Sequence, residues 1–257
     1  MRQLTRRSRA VLTRSVAPGV HRLEHAHVNC YLLEEGGKLT LIDAGLPDSH
    51  RFILAAIHAL GHRPEDVEAL VLTHAHFDHI GAAKRLHRDI GCPVHVHPDD
   101  AYIARHPYRY AHERSRLLYP AMYPRAVPVL AGMAAAGALW VRGISDVVPY
   151  EGTGTLDVPG RPVVVETPGH TFGHCALNLP NADAVITGDA LVTLDPYTGA
   201  EGPRIVAGAA TANSEQALSS LGRLDATGAR IVLPGHGAPF TGGIHSAVAI
   251  ARTTGAS

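Results

Sequence analysis

The sequence predicts a layered α/β fold with two β-sheets. Three observations carry the prediction. Short β-rich runs dominate each half of the 257-residue chain. Segments with helical periodicity lie between them. Both halves follow the order strands, helix, strand, and no internal repeat or low-complexity linker interrupts it.

The first two strands are read at residues 28–33 and 38–43, with Glu34, Glu35, Gly36 and Gly37 between them as a hairpin turn. A helix capped by Asp48 follows. Its apolar residues Ile53, Leu54, Ile57 and Leu60 recur at helical spacing, and Gly61 ends it. Residues 69–72 form a short buried strand that runs directly into Thr73 and His74, and another helix begins near Ile80 and Gly81. Residues 94–97 alternate as a strand, after which Pro98 opens a helix. Residues 106–146 differ in character. Tyr108, Tyr110, Tyr119, Tyr123 and Trp140 gather there with Arg109, Arg114, Arg116 and Arg125, while Pro107, Pro120, Pro124 and Pro128 cut the stretch into short helices. It reads as a helical insertion: either peripheral packing, or a lid or wall facing an anionic or aromatic acyl substrate. Strands resume at 162–166, 175–179 and 184–187; a helix at 214–224, a strand at 231–233 and a helix at 244–252 complete the chain. Residues 1–257 read as one domain. The basic start, 1–17, is expected to be a frayed tail, because Arg14 and Pro18 interrupt the apolar stretch a signal peptide needs.

Bulk properties narrow the function. A hydrophobic content of 46% is enough to bury one sizeable core. Lys plus Arg and Asp plus Glu both number 23, so no net charge argues for nucleic acid or an anionic membrane as partner. An aromatic content of 5% argues against base-stacking platforms. No run approaches the roughly 20 apolar residues of a membrane span. Cys30, Cys92 and Cys175 contain no C-x-x-C pair, which points to a reducing, cytoplasmic setting. Oligomeric state is left open, a homodimer being one option. Histidine is the outlier, at 18 residues. Imidazole is the commonest metal ligand.

The strongest chemical signal is the run Thr73, His74, Ala75, His76, Phe77, Asp78, His79, placed just after a buried strand. Three imidazoles and a carboxylate exceed what one catalytic ion with an open water position uses, which is about three protein ligands. The segment therefore suggests two adjacent metals. Three further strands end in a potential ligand flanked by glycine: His170 after Gly169, Asp189 after Gly188, and His236 between Gly235 and Gly237. Small residues let the backbone turn sharply and approach a ligand closely. Loops at strand ends are where sites are usually built.

This ordered set, with Asp43 between Ile42 and Ala44, resembles the metallo-β-lactamase superfamily over residues 20–240. The resemblance implies an α+β fold, a four-layer αββα sandwich, with a dinuclear site at one edge of the sheets. One metal would take His74, His76 and His170. The other would take Asp78, His79 and His236, with Asp189 bridging. Zinc is the expected metal, and iron or manganese also suit ligation by His and Asp. A hydroxide held between the metals would attack, and Asp78 would shuttle the proton. Tyr197 is the candidate oxyanion donor, the alternative being a turn tyrosine that packs on the fold. Asp43 is expected to orient the ligand loops and His174 to stand behind the ligands; Cys175 reads as a buried strand residue.

Among the branches of the superfamily, Asp189 and His79 argue against a β-lactamase of the commonest type, which has Cys and lacks the second His. The residues left point toward the glyoxalase II and lactonase-like branch: hydrolysis of a small ester, thioester or lactone. Val192 stands where quorum-sensing lactonases usually have Tyr, and the stretch after Asp189 lacks the usual glycine- and arginine-rich pattern of glyoxalase II. Two alternatives stay open: a mononuclear iron sulfur-dioxygenase, and a phosphodiesterase or nuclease, both of the same fold.

Overall fold

The structure, a computed structural model, describes residues 10–116, 118–150 and 152–257. Seven strands form the first sheet in sequence order: β1 (Val11–Ala17), β2 (Val20–His25), β3 (Val28–Glu35), β4 (Lys38–Ile42), β5 (Val67–Val71), β6 (Val94–Val96) and β7 (Val148–Pro149). The first four are antiparallel and the last four run parallel. Then come β8 (Thr153–Thr155), β9 (Val163–Glu166), β10 (Cys175–Leu179), β11 (Ala184–Gly188), a separate ribbon of β12 (Val192–Leu194) and β13 (Glu201–Arg204), and β14 (Ile231–Pro234). The second sheet has the order β14-β11-β10-β9-β8. The helices are α1 (Ser49–Ala59), α2 (Phe77–Ile80), α3 (Ala83–Ile90), α4 (Ala101–Arg105), α5 (Tyr119–Met122), α6 (Val127–Ala135), α7 (Ser214–Asp225) and α8 (Ile244–Thr254).

Side-chain alternation along the strands builds the layers. In β3, Cys30 and Leu32 point into a core shared with Ile53 and Ile57 of α1 and Leu86 of α3. Tyr31 and Leu33 point the other way, into a core between the sheets. Leu70 and Val71 of β5 divide in the same manner. In the second sheet, Leu177, Ile186 and Leu233 face the middle, while Ala176, Val185 and Val232 face Leu221 of α7 and Val248 of α8. Three cores separated by two sheets make the expected αββα sandwich. Each fully buried aliphatic side chain in these layers stabilises the fold by roughly 1.5–3 kcal/mol.

Three expectations are corrected. Residues 11–17 are not a frayed tail but edge strand β1, with Val11 opposite Glu24 and Thr13 opposite Arg22. A register shift between Thr13 and Ala17, with Ser15 at φ 53°, broke the alternation that would have revealed it. Residues 1–9 of that expected tail lie outside the described residues. Asp48 occupies the position before α1 but makes no capping hydrogen bond; the Ser49 hydroxyl accepts from the Leu46 N–H instead, at 3.1 Å. The helix expected from Ile80 is two pieces, α2 and α3. A Cβ at Gly81 would lie 2.5 Å from the Gly45 carbonyl, so only glycine lets these loops touch. The insertion at 106–146, of which Leu117 lies outside the described residues, is anchored by Tyr110, Tyr119, Val141 and Ile144 in the first core.

Strand direction positions the site. β4 and β5 are parallel, β11 and β14 are parallel, and β9 and β11 share a direction because both oppose β10. Backbone bonds sew the sheets together at the ends of these strands: Cys175 N–H to Thr73 O at 2.9 Å, and Asn29 N–H to Gly235 O at 2.8 Å.

Candidate metal centre

All seven predicted ligands meet at this edge. His74, His76, Asp78 and His79 follow β5, His170 follows β9, Asp189 follows β11 and His236 follows β14. Ligand atoms of His74, His76 and His170 lie within 4.8 Å of one another, as do those of His74, His79 and Asp189, and those of Asp78, His79 and His236. The Asp189 carboxylate sits between the groups. Its Oδ2 is 3.3 Å from His236 Nε2, 3.5 Å from His170 Nε2 and 4.0 Å from His74 Nε2; its Oδ1 is 3.5 Å from His79 Nε2. Asp78 Oδ2 is 3.3 Å from His236 Nε2. The approach needs Gly235, where a Cβ would fall 2.2 Å from Asp189 Oδ1.

The outer ring nitrogens decide which tautomers are present. Thr73 donates its hydroxyl proton to Asp43 Oδ2 at 2.8 Å, so its oxygen must accept from His74 Nδ1, 3.0 Å away. Thr211 likewise donates to Val206 O at 2.7 Å and accepts from His170 Nδ1 at 3.2 Å. His79 Nδ1 donates to Asp43 Oδ2 at 3.0 Å, and His236 Nδ1 to His27 O at 2.8 Å. Each partner puts a proton on Nδ1 and turns Nε2 toward the centre, the orientation metal coordination needs. The Nε2 atoms of His74, His76, His79, His170 and His236, and Asp189 Oδ1, are buried without a well-formed hydrogen bond. Converging, unpaired, buried nitrogens and a carboxylate cost free energy unless a cation joins them, so this donor set fits divalent metal.

Electrostatics agree. Burial, aided by the neighbouring imidazoles, holds His74 and His76 well below the usual range, and burial pushes His170 down to about 4. These rings are neutral. At His236 burial acts in the same direction, but Asp189 and Asp78 outweigh it and push the ring up to about 10. His79 is raised in the same way by Asp189, Asp43 and Asp78. Burial would lift Asp189, yet His236 and His79 hold it well below the usual carboxylate range. The carboxylates thus favour a second proton, on Nε2, at His79 and His236, which a metal binding there would displace.

Several positioning residues surround the ligands. Asp43, at φ 59°, accepts from Thr73 N–H at 2.8 Å as well as from the Thr73 hydroxyl and His79, tying two loops together. His174 accepts from Asp189 N–H at 3.0 Å through Nε2, so its Nδ1 donates to Thr167 Oγ1 at 2.8 Å; both nitrogens are committed. Sequence reasoning missed Asp100. It is fully buried and accepts from Ala75 N–H at 2.9 Å, Thr171 Oγ1 at 2.8 Å and Gly173 N–H at 3.0 Å. Nothing in the run His97, Pro98, Asp99, Asp100 distinguishes it from its exposed neighbour. Thr211 and the His27 carbonyl gave no signal either.

Tyr197 is buried, with its hydroxyl against that of Tyr110 and Asp78 close enough to act on both phenols. The Tyr110 ring packs 4.0 Å from that of His76, so the insertion contributes a wall of the site. Cys30, Cys92 and Cys175 are free and buried, and burial pushes the Cys175 thiol up to about 12, which leaves no ready nucleophile. Among the described residues, no helix is long and apolar enough to cross a membrane.

Known proteins are similar to this chain. A family profile described as the metallo-beta-lactamase superfamily matches residues 24–236. The "Probable metallo-hydrolase YflN" of Bacillus subtilis (strain 168) is 28% identical over 238 residues, covering 88% of this chain and 86% of that protein. An uncharacterized protein of Mycobacterium tuberculosis, Rv2581c, is 29% identical over 228 residues, covering 81% and 85%. Among solved structures, TTHA1623 in a di-iron-bound form is 28% identical with a TM-score of 0.58, covering 85% of this chain and 92% of that one. The metallo-beta-lactamase family protein TTHA1429 from Thermus thermophilus shares the fold at 24% identity and a TM-score of 0.65, covering 92% and 79%.

Proposed function

The chain belongs to the metallo-β-lactamase superfamily, and from that premise we propose that this metallo-hydrolase uses two divalent ions to cleave a small ester, thioester or lactone. The observation that carries the reading is Asp189, whose carboxylate faces both ligand groups at once. His74, His76 and His170 would hold one ion, Asp78, His79 and His236 the other, and Asp189 would serve both. Two such ions lower the pKa of a shared water toward neutrality and so furnish a nucleophile near pH 7.

The protein's own groups prepare the site for that chemistry. Asp43 and Thr73 hold the rings of His79 and His74 in the ligating tautomer. His174 fixes the backbone of Asp189. The Asp78 carboxylate, beside His236, takes up the proton released on attack and returns it to the leaving group. Tyr197, with Tyr110 against it, offers a hydroxyl to the substrate oxygen that gains negative charge. A donor set without thiolate supports zinc, iron or manganese. The likeness to a protein crystallised with two irons supports keeping iron in the test. A neutral chain supports a small-molecule substrate over nucleic acid, and three free cysteines suit a cytoplasmic setting.

The test is turnover of thioester, lactone and phosphodiester panels by protein reconstituted with zinc, iron or manganese, with metal content measured in parallel. Two metal equivalents and hydrolysis of a thioester, ester or lactone are expected. Turnover confined to phosphodiesters would refute the substrate class. One iron per chain with oxygen uptake on a persulfide would refute the hydrolytic reading.

A further inference from the structure

The insertion brings a cation to the site that the proposed mechanism does not use. Arg116 is half-buried, with its guanidinium carbon 4.6 Å over the Tyr110 ring and Nη1 donating to the Tyr110 hydroxyl at 3.0 Å. Tyr110 in turn packs on His76. Arg116 therefore stands one aromatic layer from the first ligand group. Among the described residues no carboxylate lies at ion-pair distance from it, whereas Arg22, Arg223 and Arg230 each pair with one. The site carboxylate Asp78 is turned to His236.

A guanidinium carries five N–H donors in a planar fork. One is spent on Tyr110. Its place over the phenol ring restrains the guanidinium, and four of its N–H donors are left for an anion. Leaving such a group half-desolvated and unpaired is costly, and a bound carboxylate would relieve that cost.

We propose that Arg116, braced by Tyr110, is the subsite for a carboxylate on the acyl part of the substrate, so that the preferred esters, thioesters or lactones are anionic. The proposal rests on the hydrolase reading and adds a substrate class to it. Charge-assisted hydrogen bonds of this kind are worth roughly a 100-fold preference for a substrate that carries the carboxylate over one that lacks it.

The probe pair is the mono-4-nitrophenyl ester of glutaric acid and the same compound with its free carboxylate capped as a methyl ester. The parent protein is expected to favour the anionic ester in kcat/KM. In Arg116→Ala that ratio falls toward one, and Arg116→Lys retains part of it, because an ammonium keeps the charge without the fork. General damage to the fold lowers both substrates together and leaves the ratio standing. A parent enzyme without anionic preference, or an unchanged ratio in Arg116→Ala, would overturn the proposal. Calorimetric titration with the corresponding 4-nitroanilide of glutaric acid separates the two readings. If neither ester turns over, the hydrolase reading fails on this class. Arg116-dependent binding of the anilide would still support the subsite, and equal binding to parent and Arg116→Ala would end it.

Discussion

Asp100→Ala removes the side chain that ties together the two loops supplying the first ligand group. Three donors lose their acceptor: the N–H groups of Ala75 and Gly173 and the hydroxyl of Thr171. Each buried donor left without a partner costs about 1–3 kcal/mol. Part of that is offset, because burial raises the pKa of Asp100 and its removal relieves the desolvation of the carboxylate. The net loss is expected near 3–5 kcal/mol, the range for breaking a buried charged network by removing one member. Against a total stability of about 5–15 kcal/mol the variant stays folded, with its Tm lowered by roughly 10 °C. Asp100→Asn keeps the volume but turns an amide donor toward one of the three donors, so it loses about half as much. Urea denaturation gives the stability. Metal titration gives the second readout: affinity at the His74, His76 and His170 group falls, since Ala75 lies between two of these ligands and Thr171 follows the third. Stability within about 0.5 kcal/mol of the parent, together with full metal occupancy, would refute the clamp.

The remaining predictions are more direct. Asp189→Ala and His76→Ala each abolish hydrolysis while the circular dichroism spectrum stays native; full activity with unaltered metal content would remove these residues from the site. Gly235→Ala places a methyl group against Asp189 Oδ1, so metal content, read by elemental analysis, drops well below that of the parent. In chelated protein, stability rises as pH climbs from about 4 to about 6.5, because the unfolded chain binds protons there that buried His170 does not. Above about 6.5 it falls, because His236 keeps its proton in the fold up to about 10 while the unfolded imidazole has released it. Chemical denaturation of the chelated protein across this range should therefore show a maximum, and a monotonic profile would contradict the assignment.

Much of this was legible in the sequence, for identifiable reasons. The strands at β3, β4, β5, β10, β11 and β14 announce themselves because they are buried on both faces, which forces continuous apolar runs. The ligands were legible because metal chemistry restricts residue type and the strand ends restrict position. What stayed hidden depends on contacts made across the fold. β1 is an edge strand with an irregular register, so its polar residues carry no periodic mark. Asp100, Thr211 and the His27 carbonyl act on loops distant in sequence, and a backbone carbonyl has no sequence signature at all. Tyr110 was one of several tyrosines in the insertion until packing against His76 singled it out.

Four of the seven candidate ligands hang from the first sheet and three from the second. Cations gripped between them would bind the folded chain and not the unfolded one, so the free energy of binding would add directly to the stability of the fold. Loading would then confer toughness and competence in one step. An unloaded copy would be both idle and easier to unravel, and so the first to be cleared by proteolysis.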